Sequence, residues 1–251
     1  MTQVITVSNH KGGTGKSALS FEIGKILSKN NRVLLIDLDG QGDLTRTILK
    51  DDDQPLISTL DVLKGEIDAR EAVLNINSHV SLLPSTDDLL RADIELTKKG
   101  VSSDCLNQAI KNLKRYDYIV IDTPPNLGTL TLNALKTADI VYIPMLAESN
   151  SIDGFLNFLK TLNSVNKIRK KRIAIGGIIV TRYNGRSTIN KGMMGSIEDM
   201  ADQLKVKVYP IKETVKLREA HYFGKSITEY EPKNDASKQL VDIVDHLEKD
   251  F

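Results

Sequence analysis

Short β-branched apolar runs alternate along the chain with longer stretches in which apolar residues recur at helical spacing. The runs predict strands at Val4–Ser8, Arg32–Asp37, Val80–Pro84, Tyr118–Asp122, Ile140–Pro144, Ile173–Val180 and Lys205–Tyr209. Most are apolar without interruption, as befits strands buried on both faces of a parallel sheet. Helical spacing predicts helices at Ala18–Lys29, Leu106–Lys114, Thr129–Lys136, Asp153–Ile168, Thr188–Leu204 and Ala236–Lys249. This alternation, with right-handed crossovers, implies an α/β fold: a doubly wound, mostly parallel sheet with helices on both faces. Ligands of such sheets sit at the carboxyl ends of the strands. Only Lys50–Pro55 and Glu231–Asp235 read as linkers, so residues 1–251 are expected to form a single domain.

Composition narrows the class. Hydrophobic residues make up 40% of 251, enough for a sizeable Ile, Leu and Val core without Trp. The formal net charge of +1 supplies no overall field toward nucleic acid or anionic lipid, so any basic patch must be local. Cys105 is the one cysteine, which excludes an internal disulfide and fits a reducing compartment. No run reaches transmembrane length and no signal peptide opens the chain, so a cytoplasmic protein is expected.

The first strand runs into His10-Lys11-Gly12-Gly13-Thr14-Gly15-Lys16-Ser17-Ala18, and a helical pattern follows. Glycines let the loop turn tightly so that its N–H groups converge on an anion, and the helix start adds its dipole. Lys16 is placed to reach β- and γ-phosphates, and the Ser17 hydroxyl to hold Mg²⁺. The pattern departs from G-x-x-x-x-G-K-[ST], because His10 stands where its first Gly would be. Lys11 has no evident task in its own loop; a second cation just before a phosphate cradle suggests reach to another subunit's nucleotide.

Asp37 and Asp39 close one strand and Asp122 another. Such carboxylates can bind Mg²⁺ or orient an attacking water, or they can cap the next helix. Asp37 is left between these readings, whereas the phosphate loop tips Asp39 and Asp122 toward the metal and the water. The histidines at 10, 79, 221 and 246 show no zinc spacing. Cys105 opens a helix, which can lower a thiol's pKa, but a structural thiol is expected. Asp51–Asp53 reads as a solvated turn. The last helix buries Leu240, Ile243, Val244 and Leu247 and turns Asp242, Asp245 and Glu248 outward, the wrong sign for a membrane-surface helix.

K-G-G-T-G-K-S resembles the deviant Walker A loop of the ParA/MinD family of P-loop ATPases. The resemblance implies ATP bound by Lys11, Gly12, Gly13, Thr14, Gly15, Lys16, Ser17 and Ala18. It also implies that Lys11 crosses a dimer interface to the partner's ATP. V-L-L-I-D-L-D-G-Q is similar to the family's second motif, making Asp39 the catalytic aspartate beside Lys11 and Lys16. Y-I-V-I-D-T-P-P resembles Walker B, placing Asp122 near Mg²⁺ with Ser17 and Asp39. The chain departs from the family at Gly40, where Pro is usual and Gly would loosen the loop, and at Ala18, Asn184 and Lys212. Opening directly on the loop strand, it resembles the short form without an N-terminal helix-turn-helix.

The likeness implies a cytoplasmic, nucleoid-associated ATPase that partitions plasmid or chromosomal DNA. Its expected partners are a second copy when ATP is bound, nonspecific DNA through Arg186, Lys216 and Arg218, and a ParB-like centromere-binding protein, with no membrane. The alternatives are a MinD-like membrane-cycling regulator and a scaffold that keeps nucleotide without hydrolysing it. A single Cys excludes a nitrogenase-reductase-like electron carrier, whose cluster needs two ligands per subunit.

Overall fold

The computed structural model describes residues 2–50, 55, 57–98 and 104–250; the acidic run at 51–53 lies outside them. In chain order the elements are β1 (Gln3–Val7), α1 (Lys16–Leu27), β2 (Val33–Asp37), α2 (Asp43–Leu49), α3 (Thr59–Leu63), α4 (Ala69–Ala72), β3 (Leu74–Asn75) and β4 (Val80–Leu83). A 3₁₀ turn at Asp87–Arg91 leads to α5 (Ala92–Lys98), α6 (Cys105–Ile110), β5 (Tyr118–Asp122), α7 (Thr129–Thr137), β6 (Ile140–Leu146) and α8 (Asn150–Ile168). The chain closes with β7 (Ala174–Tyr183), α9 (Thr188–Leu204), β8 (Val208–Lys212), α10 (Val215–Tyr222), α11 (Ile227–Tyr230) and α12 (Asp235–Asp250).

The strands form one eight-stranded sheet in the order β3-β4-β2-β5-β1-β6-β7-β8. Every pairing is parallel except the short β3–β4 ladder. β1 lies between β5 and β6, with Val7 level with Asp122 and Asp37 level with Asp122 on the other side. The register therefore brings the ends of β1, β2 and β5 to one place, where strand order reverses.

Burial on both faces explains the uninterrupted apolar strands. Ile5, Val7, Leu35 and Val120 pack with α1 and α12, while Leu34, Ile36, Ile119 and Ile121 pack on the opposite face with α3, α6 and α7. α12 buries Leu240, Ile243, Val244 and Leu247, as its spacing predicts. Gly24 lets α1 lie close on the sheet: a Cβ there would stand 2.5 Å from Leu35 Cδ2. Among the described residues no helix is long and apolar enough to cross a membrane.

Three local expectations change. The last strand starts at Val208 rather than Lys205, because Lys205 (φ 55°) ends α9 and Val206 N donates back to Ala201 O at 2.9 Å. Pro210 sits within it at no cost to the ladder, since β8 is an edge strand. The short helices α2, α3, α4, α5, α10 and α11 lack enough turns for a clear apolar stripe. Gly40 does not loosen its loop: it is buried, and a Cβ there would meet Leu90 N at 2.6 Å, so glycine lets the 87–91 turn close onto the loop.

Candidate nucleotide-binding site

The loop between β1 and α1 turns at Gly13 and Gly15, whose φ of 71° and 83° lie in the left-handed region open to glycine. Gly15 is the N-cap of α1, and no side chain caps that end, which leaves the leading N–H groups to a ligand. Neighbouring strand ends support the loop. Thr181 Oγ1 donates to Thr14 O at 2.9 Å and Asn9 Nδ2 donates to Pro144 O at 2.6 Å.

A cavity of about 980 Å³ opens over this loop, lined by Gly12, Gly13, Gly15, Lys16, Ser17, Ala18 and Asp39. Thr14 is buried beneath it, its hydroxyl donating to Lys11 O at 3.3 Å, so only its backbone can serve a ligand. The other walls carry Arg46, Lys50, Arg182, Arg218 and His221–Phe223. Arg182 reaches the cavity from a left-handed backbone (φ 52°) where the β7–β8 register shifts. Such a conformation costs a non-glycine residue about 1 kcal/mol or more and concentrates at functional sites.

Charge in the site is unbalanced. Lys16 is buried, and its Nζ donates to Lys11 O at 3.3 Å. Burial lowers its pKa, while Asp122 and Asp39 pull it back up. Asp122 is fully buried; Oδ1 accepts from Ser20 Oγ at 3.2 Å and Oδ2 has no partner. Burial drives this carboxyl well above the ordinary range, the charge of Asp37 adds to that, and the Ser17 hydroxyl and Lys16 oppose it. Asp39 Oδ1 accepts from Gln41 N at 3.0 Å; burial raises its pKa too, with Lys16 opposing. An orphaned buried oxygen beside further carboxylates and a serine hydroxyl fits a hydrated cation. Among the described residues no group of three or more His, Cys, Asp or Glu could by itself hold a metal ion. That suits Mg²⁺, which keeps waters, uses few protein ligands and takes phosphate oxygens.

Asp37 is occupied elsewhere. Oδ2 accepts from Thr45 N at 2.9 Å and Thr45 Oγ1 at 2.7 Å, and Oδ1 from Asp39 N at 3.0 Å. It anchors the first turn of α2 and the loop bearing Asp39, which resolves its two readings in favour of the helix anchor. Lys11 has side-chain partners in its own subunit, all of them outside its own loop. Its Nζ contacts Glu148 Oε2 at 2.8 Å, Asn150 Oδ1 at 2.5 Å and Ser151 Oγ at 3.2 Å, at the start of α8. Cys105 is raised by burial, and its Sγ donates to Asn133 Oδ1 at 3.2 Å, so the helix start does not activate it.

Sequence reasoning missed Glu22 and His221. Glu22 is fully buried on α1, accepting from His221 Nε2 at 2.8 Å and Ile227 N at 2.9 Å, and so ties the phosphate-loop helix to the cavity wall. No local pattern could reveal it, since the partners lie 199 and 205 positions away. Of the three cations expected to meet DNA, Lys216 and Arg218 share α10 and Arg186 follows β7. Arg218 lines the nucleotide cavity, Lys216 Nζ donates to Glu219 Oε2 at 2.8 Å, and Arg186 lies exposed in the turn after β7.

A glycine loop between the central strand and a helix, with a buried lysine and two strand-end carboxylates around it, defines a P-loop nucleoside triphosphatase. Residues 2–175 match the family described as AAA domain. The chain is 32% identical over 248 residues to the sporulation initiation inhibitor protein Soj of Bacillus subtilis (strain 168), covering 97% of each. It is 30% identical to the chromosome partitioning protein ParA of Caulobacter vibrioides, over 92% of this chain and 88% of that one. The solved structure of Cyanothece apo McdA matches it with a TM-score of 0.90 at 26% identity, covering 98% and 100% of the two chains; McdA is also known in complex with ATP. The chain belongs to the ParA-like ATPases, enzymes that hydrolyse ATP.

Proposed function

We propose that the chain works as one ATPase unit whose ATP-bound dimer partitions DNA. The observation that carries this reading is the second loop lysine: Lys11 lies outside the cavity its own loop encloses, while Lys16 lies inside it. In this reading the N–H groups of Gly12–Ala18 cradle the phosphates and Lys16 leaves Lys11 O for the β- and γ-phosphates. Ser17, Asp39 and Asp122 hold Mg²⁺, directly or through water; the ion neutralises charge on the phosphates. Asp39 orients the attacking water, and Lys11 leaves Glu148 for the partner's ATP. Two subunits joined through their nucleotide ends then act as a switch.

DNA enters through Arg186, Lys216 and Arg218. Arg218 and His221 share α10 with Lys216, so the helix that walls the nucleotide also carries a candidate DNA contact. A ParB-like partner completes the cycle by stimulating hydrolysis, at the nucleoid in the cytoplasm. The likeness to Soj and ParA supports partition, of a plasmid or a chromosome. The outward acidic residues of α12 weigh against a membrane-cycling role.

The test is fluorescence anisotropy on random duplexes across a salt series. Binding should need ATP, ignore sequence and weaken steeply with salt as counterions are released. Replacing Lys216 and Arg218 with Ala should lower the slope of log affinity against log salt by roughly one for each lost phosphate contact. Equal binding with ADP and ATP would refute the switch.

A further inference from the structure

The densest cationic run of the chain lies far from the nucleotide. Lys167-Ile168-Arg169-Lys170-Lys171-Arg172 holds five cations in six residues and no acid. It joins the end of α8 to the start of β7, and β7 runs parallel to β6 and β1. The phosphate loop follows the carboxyl end of β1, so this run occupies the opposite edge of the sheet. β7 thus has cations at both ends, Arg182 in its last residues and Arg186 beyond them, and this run before its start.

Two of the five are structural. Arg169 Nη1 donates to Leu135 O at 2.7 Å and to Ala138 O, closing the end of α7, and Lys171 Nζ pairs with Asp139 at 2.8 Å. Lys167, Lys170 and Arg172 are exposed, and none of them has an ion pair among the described residues. With Asn163, Asn166 and Arg169 they line an open cleft of about 570 Å³, each lining side chain ending in an amide, guanidinium or ammonium group. Lys111 and Lys114 precede β5 on the same edge and Lys205 precedes β8. β5 and β8 are four strand steps apart, so the strip spans about 19 Å at about 4.8 Å per step. Duplex DNA carries roughly eleven phosphate charges over that length.

The shape of the strip selects the polyanion. Asn31, which precedes β2, donates to Glu248 Oε1 at 3.1 Å, so the acidic end of α12 lies on this same edge. α12 packs on one face of the sheet and α8 on the other, so Lys167, Lys170 and Arg172 at the end of α8 stand on the face away from Asp245, Glu248 and Asp250; a narrow duplex suits that side, whereas a flat anionic bilayer pressed across the edge would cover both. We propose that this edge, centred on Lys167, Lys170 and Arg172, is a second duplex-binding surface that works without nucleotide. Bridging rests further on the dimer described above: joined through their nucleotide ends, two subunits turn these edges outward, and one dimer holds two duplexes.

The test variant is Lys167→Ala/Lys170→Ala/Arg172→Ala, which spares Arg169 and Lys171. Anisotropy of a random duplex is followed at low salt without nucleotide, with ADP and with ATP. Wild type should bind weakly without nucleotide, and the variant should lose that binding while its ATP-triggered gain persists. The wild-type salt slope without nucleotide should exceed the variant's by up to about 2.7, for three contacts. With ATP, wild type on an immobilised duplex should capture a second, labelled duplex, and the variant should not. Equal nucleotide-free binding by the two proteins, or none by wild type at low salt, overturns the proposal. Displacement of the duplex by anionic vesicles or polyglutamate at equal charge, as readily as by unlabelled duplex, overturns DNA as the occupant. If ATP changes binding in neither protein, the switch fails, while the nucleotide-free arm still decides this surface.

Discussion

Replacing Asp37 with Ala separates a helix anchor from a catalytic carboxylate. The side chain is fully buried and accepts three hydrogen bonds, two from Thr45 and one from Asp39 N. The Thr45 hydroxyl can rotate, and it already accepts from Ser85 N at 3.0 Å, but the two backbone N–H groups cannot turn away. Stranding them costs about 2–6 kcal/mol in total, at about 1–3 kcal/mol each. Against this stands the cost of the charge: burial lifts the Asp37 carboxyl from 3.8 to about 6, despite the bonds from Thr45 and Asp39. Holding it ionised at pH 7 therefore costs about 3 kcal/mol, and at pH 5 about half that. The net effect of Asp37→Ala at pH 7 is then between a gain of about 1 and a loss of about 3 kcal/mol, and the loss is about 1 kcal/mol larger at pH 5, within the roughly 5–15 kcal/mol a domain has in hand.

The sign of the pH dependence follows. A folded value raised above the unfolded one gives a contribution that is fully present below 3.8 and is lost as pH rises through about 6. Wild type should gain on the variant as pH falls, by about 1 kcal/mol between pH 7 and pH 5. Asp122 acts in the same direction, because the charge of Asp37 is part of what raises it. Urea unfolding of both proteins at the two pH values measures the difference, and groups common to both cancel. A loss at pH 5 equal to or smaller than that at pH 7 would refute the reasoning and leave the Asp37 charge net stabilising.

Lys16→Ala should abolish ATP binding by calorimetry, because it removes the one buried ammonium in the cradle; retained affinity would move the phosphate site. Lys11→Ala should keep ATP in the monomer yet fail to dimerise in light scattering with a slowly hydrolysed analogue; an ATP-dependent dimer would confine Lys11 to its contacts with Glu148 and α8. Asp39→Ala should bind ATP and stay dimeric while turnover falls by about 10²–10⁴, the range for a positioned base; wild-type phosphate release would pass that role to another group.

The phosphate loop was legible because it is contiguous: strand, glycines, Lys16, Ser17 and helix fall within a few turns of chain, and local sterics dictate their shape. The parallel sheet was legible because burial on both faces leaves uninterrupted apolar runs, and Asp39 and Asp122 because they close such runs. What the tertiary structure alone decided depends on pairings that no local pattern encodes. Lys11 meets Glu148 across 137 positions, His221 meets Glu22 across 199, and Ser20 meets Asp122 across 102. Asp37 could be told from Asp39 only once Thr45 was seen to fold back onto it. The run at Lys167–Arg172 stands open in the sequence, but its place on the edge away from the nucleotide comes from the parallel register of β7, which fixes the end of the sheet to which each connection belongs.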